Sequence, residues 1–150
     1  MNGDQDQDEY EIENHVTWLL DDFNDPDGYD SLSDAQRAAC LVWTMRWTVS
    51  NGGYQSWVET YGQRTRDLIE ALSLIGAEPY AGLVRDVVLA APSFEAADEE
   101  SRLADISTPQ LTELDERFFA LNRDEDLLDR YLRPFLRTHH EDFPSTIDDL

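Results

Sequence analysis

The sequence predicts an all-α, single compact domain of six or seven helices around a central buried helix at about residues 34–50. Three observations carry this expectation. Apolar residues recur three and four positions apart along most of the chain, the spacing of one helical face. No run alternates apolar and polar residues as a half-buried strand would. Between Ala38 and Tyr54, ten of seventeen residues are apolar and Arg46 is the only charge. A helix that is apolar on nearly every side must be enclosed by its neighbours.

The elements follow in order. Residues 1–8 are an acidic, flexible N-terminus, residues 9–143 the helical domain and residues 144–150 an acidic tail. A first helix over about 9–23 places Ile12, Val16, Leu19, Leu20 and Phe23 on one stripe. Asn24-Asp25-Pro26-Asp27-Gly28 reads as a turn. It lacks the late glutamate of an EF-hand loop and is not assigned to calcium. Ser33 and Gln36 have the spacing of a capping box at the start of the central helix. Asn51-Gly52-Gly53 reads as its stop, because glycine takes up the left-handed conformation at little cost. Leu41, Val42, Met45 and Trp47 are expected to be buried.

Beyond this corner, Tyr54, Trp57, Val58 and Tyr61 form an aromatic segment, and a helix over about 64–75 ends at Gly76. Glu78-Pro79 opens the next, with proline in the first turn. Its apolar face is Tyr80, Leu83, Val84, Val87 and Val88. An acidic connector covers about 93–107, with room for one helical turn. Thr108 is the expected cap of a helix carrying Leu111, Leu114, Phe118 and Leu121. Asp124 is the expected cap of the last helix, which Pro134 should kink or split.

A chain of 150 residues with 41% hydrophobic content can bury one core. The single Cys40 leaves no partner for an internal disulfide and no cysteine cluster for zinc. No stretch has the length and apolarity of a membrane span, and the N-terminus lacks the pattern of a signal peptide. These features point to a cytoplasmic protein.

Charge is the most informative property. The formal net charge is −22, and all eleven basic residues other than histidine are arginine. Residues 1–36 hold twelve acids and no arginine, residues 37–94 five of each, and residues 95–150 sixteen acids against six arginines. The neutral middle is the core, and the acidic ends cover or flank it. Such a chain repels nucleic acid and anionic membrane and attracts basic proteins. No nucleophile elbow, phosphate-binding glycine loop or paired histidine ligand set is present. The sequence therefore implies no catalytic residues, no metal and no cofactor.

The Asn51-Gly52-Gly53-Tyr54 corner is followed by Leu72-Ser73-Leu74-Ile75-Gly76-Ala77 and Tyr80. Leu114-Asp115-Glu116-Arg117-Phe118-Phe119 comes next, and then Leu128, Tyr131 and Phe143. This ordered set, over about residues 34–143, resembles a bacterial all-helical family of DNA-mimic proteins. The resemblance implies a helical fold and a protein that occupies the DNA-binding face of a helix-turn-helix repressor. The matching residues are mainly core and corner residues, so mimicry itself would rest on the acids.

Carboxylates three or four residues apart on a helix stand about 5–6 Å apart at Cβ. Rows of them can take the place of phosphates on a basic protein. The candidate partner-binding rows are Glu113, Asp115 and Glu116, then Glu125, Asp126 and Asp129, with Asp21, Asp22 and Asp25 extending them. The expected partner is a basic DNA-binding protein, a transcription factor or nucleoid protein, and a homodimer is compatible with the composition. The other reading is a salt-adapted, halophilic scaffold or adaptor whose acids serve hydration. Abundant acid and the absence of lysine suit both.

Overall fold

Ser33 starts the longest helix. Its hydroxyl accepts from Gln36 N at 3.1 Å, and the Gln36 side chain accepts from Ser33 N at 3.0 Å, the reciprocal capping box. In this computed structural model the described residues are Ile12 and residues 14–143. The terminal segments expected at 1–8 and 144–150 lie outside them. Every regular element among the described residues is helical.

A 3₁₀ turn, Thr17–Leu19, leads into α1 (Leu20–Phe23), and α2 follows at Pro26–Ser31. The expected turn at 24–28 is therefore short, because Pro26 at the first position already fits helical φ and begins α2. The long helix α3 spans Asp34–Tyr61. After the 3₁₀ turn Gly62–Arg64 come α4 (Thr65–Leu74) and α5 (Glu78–Ala90). The acidic connector holds the short α6 (Glu99–Arg102), and α7 spans Thr108–Asp124. A π-helical segment, Leu127–Leu132, then passes into α8 (Arg133–Thr138).

The glycine corner is a kink rather than an end. Gly53 has φ 75° and ψ −178°, and helix resumes immediately after it. Gly76 behaves as expected: φ is 83°, Ala77 N donates to Leu72 O at 2.8 Å and Gly76 N to Ser73 O at 3.1 Å, which closes α4 in a Schellman motif. Pro134 does not interrupt the last helix but changes its hydrogen-bonding from π-helical to α-helical at Arg133. It has no N–H to offer the Arg130 carbonyl, and the preceding backbone widens so that Arg133 N reaches Leu128 O, five residues back. Two caps lie one or two residues from their expected places. Ser107, not Thr108, precedes α7 and makes no side-chain cap bond. Asp126, not Asp124, caps the last helix, because α7 continues through Asp124.

Four helices close around the core. α3 packs on α4 and α7, and α5 completes the set by packing on both of those. Leu41, Val42 and Met45 are buried in it as expected. Trp47 is not: it is 38% exposed, its ring edge-on to Trp43 at 5.7 Å and covered by the Arg46 guanidinium at 4.4 Å. The central helix thus has one wet edge, which a wheel apolar on nearly every side conceals. Trp43 is buried, and Trp57 is fully enclosed: its Nε1 donates to Thr65 Oγ1 at 3.1 Å, while Thr65 Oγ1 donates to Gly62 O at 2.6 Å.

Arg102 ties the acidic connector to the core. Its buried guanidinium donates to the carbonyls of Val58, Glu59, Ala96 and Ala97. Gly62 makes room, since a Cβ there would stand 2.7 Å from Arg102 Cδ and 2.3 Å from Phe94 O. A cation buried among carbonyl oxygens keeps the hydrogen bonds that water would otherwise supply.

Candidate partner-binding surface

The N-terminal acids stand on a tight α1–α2 hairpin. Phe23 is buried and meets Tyr29 edge-on at 5.7 Å. The Arg64 guanidinium covers both rings, 4.5 Å from Phe23 and 4.0 Å from Tyr29, and donates to Phe23 O. Tyr29 Oη donates to Asp67 at 2.6 Å. Gly28 lies so close to the preceding helix that a Cβ would meet Asp22 Cα at 2.7 Å. With the apolar side of the hairpin pinned in this way, Asp21, Asp22 and Asp25 face solvent, and Asp27 and Asp30 join them. None of the five forms an ion pair among the described residues.

On α7 the three expected acids divide. Leu111, Leu114 and Phe118 take the buried face, leaving Glu113 and Glu116 exposed on the other. Neither forms an ion pair among the described residues. Asp115, expected to face outward, turns to the kink in α3. Its Oδ1 accepts from Tyr54 N at 2.7 Å, and its carboxyl group fills the space beside Gly53. Burial raises its pKa, and the Glu116 charge adds to the rise, while the Tyr54 N–H opposes both. Asp115 is a bracket for the corner.

The third row is largely structural as well. Glu125 is half-buried, accepts from Tyr131 Oη at 2.8 Å and faces Arg130 at 3.5 Å. Asp126 caps the π segment by accepting from Asp129 N at 2.8 Å. Asp129 is exposed but ion-paired with Arg133. Asn122, which sequence reasoning passed over, organises this junction. Its Oδ1 accepts from Leu127 N at 2.9 Å and lies 3.0 Å from Tyr80 Oη, which also reaches Glu125 O at 2.7 Å. The signal for these roles was the Asn-Arg-Asp-Glu-Asp run, which reads equally as a helix junction and as a charge row.

Glu116 and Asp126 do come together, on the rim of one open groove of about 710 Å³ that Arg46, Phe119, Asn122 and Arg123 complete. The hairpin acids are held elsewhere, by Arg64 and Asp67 beyond the far end of α3. The nine candidates therefore form separate patches rather than one row.

Among the described residues no three metal-ligating side chains gather. Burial pushes the Cys40 thiol up to about 12, which disfavours the reactive thiolate. Among the same residues, no helix is long and apolar enough to cross a membrane.

Fold and surface together define an acidic, all-helical protein that displays carboxylates on rigid elements. The family model of the DMP19-like proteins matches residues 30–139, more than two thirds of the chain. The chain belongs to that family, which is one of DNA mimics rather than enzymes. Neither a curated protein nor a solved structure matches it. The matched span includes the acids of α7 and its junction, whereas Asp21, Asp22 and Asp25 precede it.

Proposed function

We propose that this protein binds the DNA-contacting surface of a basic DNA-binding protein, a transcription factor or nucleoid protein, and competes with DNA for it. Family membership supports the class, and one observation carries the reading. Glu113 and Glu116, and separately Asp21, Asp22 and Asp25, stand exposed on packed helices without arginine partners among the described residues. Carboxylates left unpaired on a rigid surface are available to an external cation, as phosphates are. B-DNA offers one charge per about 1.7 Å of axis, and Glu113 and Glu116 share one helical face at about 5–6 Å between Cβ atoms.

The binding role is concentrated in these five acids. Asp115, Glu125 and Asp129 already have partners inside the fold. The decisive experiment is affinity capture from the host lysate with and without saturating duplex DNA. Recovery of a basic DNA-binding protein, displaced by the duplex, is the expected result. A partner retained equally well under saturating DNA would exclude mimicry.

A further inference from the structure

Eleven arginines and three histidines stand against thirty-three acids in this chain. Yet one cavity has four of these basic side chains in its lining and, among the described residues, no carboxylate. His15, Arg133, Arg137 and His140 surround it, and Ile12, Leu136 and Phe143 supply its apolar wall. We propose that this cavity is a binding pocket for a compact organic monocarboxylate, with the acid group on the basic rim and the hydrocarbon body against the apolar wall.

The geometry supports a formed site. His15 Nδ1 lies 3.0 Å from Phe143 O and donates to it, joining two parts of the pocket 128 residues apart in sequence. Arg133 is held by Asp129 and serves chiefly as wall. Arg137 and His140 are exposed at the rim, and a guanidinium presents the planar fork that matches a carboxylate.

Size and field define the ligand class. The volume is about 230 Å³, below the range of about 300–1,000 Å³ typical of drug-sized sites. The net charge of −22 repels multiply charged anions, nucleotides and polyphosphates among them. A single negative charge limits that repulsion, and burial of an apolar body adds a favourable contribution that inorganic phosphate lacks. The site touches the candidate acids only through the Asp129–Arg133 pair, and none of those acids is varied in its test, so the test is independent of DNA mimicry.

The test is titration of the full chain with benzoate at constant ionic strength, followed by calorimetry and by the imidazole and guanidinium resonances. Benzamide and inorganic phosphate are the controls. Benzoate should bind saturably, shift the His15, Arg137 and His140 signals, and exceed either control by about tenfold, the scale of a charge-assisted hydrogen bond. The exposed substitutions Arg137→Gln and His140→Gln, combined, should weaken benzoate binding by about tenfold while the helical spectrum and melting temperature stay unchanged. The proposal is overturned by absence of saturable benzoate binding, by equal binding of either control, or by a double variant that binds benzoate as well as the parent chain.

Discussion

The backbone N–H of Tyr54 donates a 2.7 Å hydrogen bond to the Asp115 carboxylate, which fills the space where a side chain on residue 53 would stand. A kink in α3 frees backbone groups that a straight helix would pair internally, and α7 supplies the acceptor for one of them. Gly53 is required twice over. Its φ of 75° is strained for other residues, and a Cβ would lie 2.4 Å from Asp115 Oδ2. Gly53→Ala should destabilise the fold by roughly 1–3 kcal/mol. Asp115→Ala, which leaves Tyr54 N–H without its acceptor, should cost a similar roughly 1–3 kcal/mol. Denaturant unfolding of both variants checks this; a midpoint unchanged in either would show that the corner tolerates its loss.

Asp115 should also set a pH dependence. Burial raises its pKa in the folded chain, so the folded state holds this proton more tightly than the unfolded state does. The stability it contributes is then present at low pH and is lost as pH rises from the ordinary aspartate value through the raised one. Asp115→Asn keeps an oxygen for Tyr54 N–H and removes the buried charge. At neutral pH this variant should be at least as stable as the parent chain, with its relative advantage shrinking in acid. Parallel unfolding series across pH make the comparison. A loss at neutral pH as large as that of Asp115→Ala would contradict it.

The two tryptophans should separate cleanly. Trp57→Ala removes a fully buried ring and its bond to Thr65, and should cost roughly 3–5 kcal/mol. Trp47→Ala, at a site 38% exposed, should cost less than half as much, in the range of about 0.5–2 kcal/mol. Equal shifts in melting temperature would mean that the edge of α3 is covered in solution.

Salt and charge variants test the acids. Asp21→Asn, Asp22→Asn and Asp25→Asn together, or Glu113→Gln with Glu116→Gln, should weaken capture of the basic partner while leaving the helical spectrum intact. Each single change should matter little, because an exposed charge pair is worth under about 1 kcal/mol. Partner binding should tighten as salt is lowered and long-range steering grows. The isolated protein should stay folded at low salt. Collapse of its helical spectrum there would instead favour acids that serve salt adaptation.

Local rules made much of this fold legible. The Ser33–Gln36 box, the Gly76 stop, the proline start at Pro79 and the change in hydrogen bonding at Pro134 all depend on residues within a few positions of each other. The buried stripes of α5 and α7 follow from spacing in the same way. The family resemblance was legible for the same reason, since a family model matches residues 30–139.

Whether each acid was a surface charge or a structural acceptor was decided only by packing. Asp115 and Glu116 are neighbours in sequence, yet one holds Tyr54 and the other faces water, because α7 crosses α3 where Gly53 breaks it. Glu125 and Asp129 sit in an acidic run, but Arg130 lies five residues beyond Glu125 and Arg133 one helical turn beyond Asp129, so each acid is paired locally. Trp47 is 38% exposed because no helix among the described residues closes over that edge of α3, whereas Arg102 entered the core because Gly62 left space for it. The sequence by itself determined the all-helical class, the Ser33 and Gly76 caps and the sign of the surface. Only the tertiary structure decided that Asp115 is withdrawn from the surface, because that depends on a contact with Tyr54, 61 residues away in the chain.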